Sequence, residues 1–275
     1  MRKEIITKVD PKSPASEVFR SLRTNIQYVN NGRKNQTILL TSTAQGEGKS
    51  WIAANLATTF AQAGKYVIIV DADMRRPRQN SIFNVQMFPG LSNYLSGVDV
   101  NGLYKEIRIK ECIRETEVKN LYLIPAGNIP PNPSELLLGE KIIILINELK
   151  KVFDVIIFDG APCLLVTDAT IISRIVDSTI LVTSQGTTKI DDLKEAKKRI
   201  ENVGGKIVGV VLNRVKVTNK KYQYGYYYYK DESTNTIVKK KKKIGSNVSS
   251  ESTLTANKNE EIENILDKIN KFNGE

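Results

Sequence analysis

Gly46-Glu47-Gly48-Lys49-Ser50 has the composition and spacing of a loop that cradles phosphate. Glycines let backbone N–H groups turn inward on phosphate oxygens, where a Cβ would obstruct them. Lys49 offers a cation to the β/γ-phosphates of a nucleotide, and the Ser50 hydroxyl can ligate Mg²⁺. Gln45 before the motif and Trp51 after it complete the candidate nucleotide-binding run with Gly46, Glu47 and Gly48. A second group is Asp71-Ala72-Asp73-Met74-Arg75, and a third is Asp159-Gly160-Ala161-Pro162. Carboxylates beside a triphosphate supply the hard oxygens that Mg²⁺ prefers. Each aspartate alone also suits a strand-end cap, so the argument rests on their combination.

Elements of a definite kind must position these groups. Residues 37–40, 66–70 and 155–158 are apolar, β-branched runs of the sort that form buried parallel strands. The phosphate loop lies between the first run and a helical pattern over 51–63, whose N-terminus adds partial positive charge. Both aspartate groups follow a strand, on the side where α/β sheets bind ligands. Further strands are expected at 121–125, 178–182 and 207–212, with helices over 133–152, 168–175 and 189–202. The alternation predicts an α/β core over residues 36–217, a mostly parallel sheet with helices on both faces.

Residues 1–35 form an N-terminal segment with a helix expected over about 14–26. Glu17, Arg20 and Arg23, at i, i+3 and i+6, share one face of it, as a solvated charged face or as a contact surface. Residues 218–275 change composition. Tyr222, Tyr224, Tyr226, Tyr227, Tyr228 and Tyr229 are six of the 11 tyrosines, within eight residues and between polar flanks. An exposed segment is the simplest expectation. Five lysines follow at 239–243, and an amphipathic helix pattern over 259–272 carries Ile262, Ile265, Leu266, Ile269 and Phe272.

Composition narrows the chemistry. The chain has 275 residues and no histidine, which excludes any mechanism that needs imidazole. Cys112 and Cys163, without CxxC spacing, argue against a zinc site or a disulfide framework, and fit a reducing cytoplasm. No run approaches the roughly 20 apolar residues of a membrane span. The net charge of +11 suits an anionic surface but does not establish a nucleic-acid partner, and none is expected.

Taken together, these motifs resemble the bacterial protein-tyrosine kinases (BY-kinases) of capsule and exopolysaccharide export, in their stand-alone CpsD/CapB-like form. Residues 42–50 are similar to that family's Walker A loop, 69–75 to its Walker A′ motif and 156–162 to its Walker B motif. Glu17-Val18-Phe19-Arg20-Ser21-Leu22-Arg23 matches its ExxRxxR oligomerisation motif, and the tyrosine cluster matches its autophosphorylated tail. Gln45 stands where proline is usual, Gly160-Ala161 replaces Thr-Pro, and 46 residues follow the last clustered tyrosine where most members end.

The resemblance implies a P-loop NTPase fold of the MinD/ParA-like branch and transfer of the ATP γ-phosphoryl group to tyrosine. Lys49, Asp71, Asp73 and Asp159 are the implied catalytic set, with Asp71 as the base. Nearby Mg²⁺, held by Ser50, Asp73 and Asp159, is expected to keep the Asp71 pKa low. Asn213 resembles an adenine-reading position. The implied partners are further copies in a ring, an octamer being one size, the cytoplasmic segment of a membrane-bound activator, and a cognate tyrosine phosphatase. The implied location is the cytoplasmic face of the membrane, reached through the activator. A MinD/ParA-like positioning ATPase and a non-catalytic scaffold of an export complex remain alternatives. Ala44, five residues before Lys49, stands where positioning ATPases usually carry lysine.

Overall fold

The fold is described from a computed structural model, for residues 5–29 and 35–216. The tyrosine cluster, the lysine run and the terminal helix pattern lie outside the described residues. In chain order the elements are α1 (Ile6–Val9), α2 (Pro14–Val29), β1 (Gln36–Ser42), α3 (Lys49–Gln62), β2 (Val67–Asp71), α4 (Gln79–Phe83), α5 (Leu91–Ser96), α6 (Ile109–Cys112), β3 (Arg114–Glu115), β4 (Leu121–Ile124), α7 (Pro133–Leu138), α8 (Glu140–Lys150), β5 (Val155–Asp159), α9 (Asp168–Ile175), β6 (Ser178–Ser184), α10 (Ile190–Asn202) and β7 (Ile207–Asn213).

The strands form one sheet in the order β3-β4-β2-β5-β1-β6-β7, parallel except for β3, which pairs antiparallel with β4. β1, β2 and β5 are buried along their whole length, which is why they read as continuous apolar runs rather than alternating ones. Ile38, Leu40, Val67, Ile69, Val155 and Ile157 face one core with α3, to which Ile5, just before α1, and Phe19 and Ile26 of α2 contribute. Helices α8, α9 and α10 pack on the sheet as well, through contacts with β5, β1 and β7. Helix α3 is buried almost throughout, so it lacks a charged outer face, and its polar residues Asn55, Thr58 and Thr59 are themselves buried. Both cysteines are free and buried. No helix among the described residues is long and apolar enough to cross a membrane.

The single helix expected over 133–152 is two helices. Gly139, with φ −67° and ψ 160°, is extended and breaks the chain between α7 and α8. The short elements α1, α4, α5, α6 and β3 were not foreseen, because four to six residues, or two for β3, carry too little periodicity to stand out.

Candidate active site

The sheet order brings the three motifs together. β5 lies between β1 and β2, so the strand ends before the phosphate loop, the Asp71 group and Asp159 are neighbours. Asp159 is the register partner of both Leu40 and Asp71. Asp73 lies two residues past the end of β2. Parallel strands put all these carboxylates at one edge of the sheet, at the mouth of the loop that opens α3.

The loop has the backbone its glycines predict. Gly46 has φ +82° and Gly48 φ +95°, both in the left-handed region. A Cβ on Gly48 would also stand 2.2 Å from Asn213 Nδ2. Glu47 holds the loop from beneath. Its carboxylate accepts hydrogen bonds from Thr43 Oγ1 (2.9 Å), the Ala44 N–H (2.9 Å) and Thr188 Oγ1. Glu47 is buried, so its side chain braces the loop rather than facing a ligand.

A cleft of about 540 Å³ opens over the loop. Gln45, Gly46, Gly48, Lys49, Ser50, Trp51 and Asp73 line it, together with residues 75–78 and a wall that includes Ala161, Pro162, Leu165 and Val166. Trp51 also packs edge-on against Phe19, their ring centroids 5.3 Å apart, and so ties α2 to the site. Glu47 and Asn213 do not line this cleft, nor do Asp71 and Asp159, which are fully buried beneath it. Asn213 Nδ2 donates to the Glu47 carbonyl (2.9 Å), and its Oδ1 accepts from the Arg214 N–H (2.8 Å). An adenine-reading role would rest on the one N–H and the lone pair these bonds leave over.

Lys49 Nζ lies 2.7 Å from Asp73 Oδ2, 3.7 Å from Asp159 Oδ1 and 3.3 Å from Ser50 Oγ. Burial pulls the Lys49 pKa down, but Asp159, Asp73 and Asp71 outweigh it and hold it above the usual lysine value. Asp71 is fully buried. Burial, and then Asp159, push its carboxyl well above the ordinary range, against the pull of the Gln79 N–H, Lys49 and the Arg78 N–H. The chain's own groups therefore make Asp71 a stronger base than an exposed aspartate, and the low pKa expected there would depend on the cation alone.

Asp71 Oδ1, Asp159 Oδ1 and Gln79 Oε1 are buried without hydrogen-bond partners. Hard oxygens left bare at a phosphate loop fit Mg²⁺ or its coordinated waters. Among the described residues no group of three or more His, Cys, Asp or Glu makes a protein-only metal cage.

Two features of the site carried no readable signal. Gln79, at the start of α4, contacts the Asp71, Asp159 and Ser50 groups. Arg75 makes a forked pair with the buried Asp168 (2.9 and 3.2 Å), and Ser134 Oγ donates to the same carboxylate (2.5 Å). Asp168 reads in sequence as an ordinary first-turn acid of α9.

The three residues of the ExxRxxR motif lie on α2, where Arg20 pairs with Glu17 and also donates to the Pro11 carbonyl. Arg23 Nη1 donates to the Thr59 carbonyl at 2.9 Å, so it fastens α2 to α3 within the chain.

The AAA domain family matches residues 35–213. The chain is 36% identical over 226 residues to the tyrosine-protein kinase YwqD of Bacillus subtilis (strain 168), covering 82% of this chain and 92% of that one. It is 37% identical over 223 residues to the tyrosine-protein kinase CpsD of Streptococcus agalactiae serotype III, covering 80% and 92%. Among solved structures, that of the chimerical protein CapA2B2 is similar with a TM-score of 0.71 and 39% identity, covering 78% of this chain and 91% of that one. With its Walker-type strand ends gathered around Lys49, the chain belongs to the bacterial tyrosine-protein kinases.

Proposed function

We propose that this kinase uses ATP and Mg²⁺ to phosphorylate the tyrosines of its own C-terminal cluster, from one subunit to the next in a ring. The observation that carries the reading is the Lys49–Asp73–Asp159 cluster, set beside Asp71 at the mouth of a phosphate loop. When bound, Mg²⁺ supplies charge neutralisation for the phosphoryl oxygens. Lys49 exchanges Asp73 for the β/γ-phosphates, and the left-handed loop presents its amides to them. Ser50, Asp73 and Asp159 are the residues that would hold the ion.

Asp71 takes the proton of the acceptor hydroxyl. Its Oδ2 is fixed by two backbone N–H groups, which leaves Oδ1 as the accepting oxygen. Tyrosine, with a pKa near 10, arrives protonated at neutral pH and needs that acceptor as it attacks. The apolar wall of Pro162, Leu165 and Val166 suits an aromatic ring.

The tail tyrosines at 222–229 are the acceptors in this reading. The membrane-bound activator, a cognate phosphatase and a role in capsule or exopolysaccharide export follow from the family, as does a site at the cytoplasmic membrane face. Phosphotyrosine detection after incubation with Mg-ATP tests the proposal. A positioning ATPase would release ADP without phosphotyrosine, and a scaffold would form neither.

A further inference from the structure

Gln79 is fully buried and touches all three motifs of the site. Its backbone N–H donates to Asp71 Oδ2 at 2.9 Å, beside the Arg78 N–H at 3.0 Å. Its side-chain Nε2 donates to Asp159 Oδ2 at 2.8 Å and to the Ser50 carbonyl at 3.0 Å. Two acceptors facing one end of the amide identify that end as nitrogen. The residue thus links the strand ends of β2 and β5 to the first turn of α3.

The residue type matters. Asp71 and Asp159 are register partners on adjacent strands, and they repel each other. A lysine between them would neutralise the charge that attracts a cation. A third carboxylate would increase the repulsion. A neutral amide with two donors anchors the group while leaving its negative charge in place. The Gln79 side chain holds the Oδ2 of Asp159 and its backbone N–H that of Asp71, and each aspartate keeps a buried Oδ1 without a hydrogen-bond partner.

We propose that Gln79 is a positioning residue for magnesium, its side-chain amide holding Asp159 beside the Ser50 backbone so that the Asp159 Oδ1, which makes no hydrogen bond, meets the ion or its waters. This rests on the magnesium-dependent reading of the cleft. The Gln79 Oε1 atom, also buried and unpartnered, adds an acceptor for a coordinated water. Partners of this kind typically set metal affinity by 10- to 100-fold without being ligands themselves.

The test is calorimetry of ADP binding to the full chain, once with Mg²⁺ and once with EDTA. The quantity read is the ratio of the two affinities. Gln79→Met keeps the side-chain length without a donor, and Gln79→Leu is the second variant; thermal melts without nucleotide show which of them is folded at the assay temperature. The ratio is expected to fall about tenfold or more relative to the unaltered chain. An unchanged ratio overturns the proposal. So does an equal loss of ADP affinity in both conditions, which is what a purely structural role would give. If the unaltered chain itself gains nothing from Mg²⁺, the magnesium reading fails along with it.

Discussion

Lys49 Nζ lies 2.7 Å from Asp73 Oδ2, so the cation of the phosphate loop is already paired with the chain's own carboxylate. Both side chains are largely buried, at 11% and 5% exposure. In the proposed mechanism incoming nucleotide exchanges with Asp73 at Lys49, and the aspartate released would be available to Mg²⁺. This one ion pair would then couple phosphate binding to metal binding.

Lys49→Met should reduce phosphotyrosine formation to background, because the phosphate loop loses its own cation. A lysine that faced only ligand could be replaced without harm to the fold. The structure instead predicts destabilisation of about 3 kcal/mol, because buried carboxylates lose their partner. Thermal melting checks this, and added Mg²⁺ should restore part of the loss. A variant with near-normal phosphotyrosine would remove Lys49 from the mechanism.

Arg75→Lys should weaken the link between the Asp73 loop and α9. A lysine cannot make the forked pair that Arg75 makes with Asp168. Loss of one charge-assisted hydrogen bond, about 1.5 kcal/mol, should lower the melting temperature by several degrees. Kinase activity should fall with it, since Arg75 lines the cleft two residues past Asp73. An unchanged melting curve would show that the pair contributes nothing.

Legibility in the sequence followed distance along the chain. The phosphate loop and the strand-end aspartates were readable because each lies within a few residues of its own strand or helix. The β1, β2, β5 and β6 runs were readable because burial on both faces makes their central residues apolar. Gln79 was not, because its partners Ser50 and Asp159 are 29 and 80 residues away in sequence. The pairing of Arg75 with Asp168, 93 residues apart, was hidden for the same reason. Glu47 was readable as part of the motif but not in its role, since only the fold brings Thr188 beneath it.

The Glu17, Arg20 and Arg23 group gives a prediction about assembly. In the ring reading, the triple substitution Glu17→Ala, Arg20→Ala and Arg23→Ala yields a monomer that still binds ATP. Arg23 also fastens α2 to α3, so the variant should melt a few degrees lower as well. Phosphorylation adds about −1.5 to −2 charges per tyrosine, and several on one tail should drive the subunits apart. Light scattering of unphosphorylated and phosphorylated protein, with the activator segment present, checks both points. Equal masses in the two forms would contradict the ring.

The most direct measurement mixes two variants and maps the phosphate. Lys49→Met protein has intact tail tyrosines and no activity. A protein with Phe at 222, 224 and 226–229 has an intact site and no clustered acceptors. After incubation with Mg-ATP, mass spectrometry should find phosphate on residues 222–229 of the Lys49→Met chain. Phosphate found only elsewhere, or on neither chain while the unaltered protein is labelled, would contradict transfer between subunits to the tail.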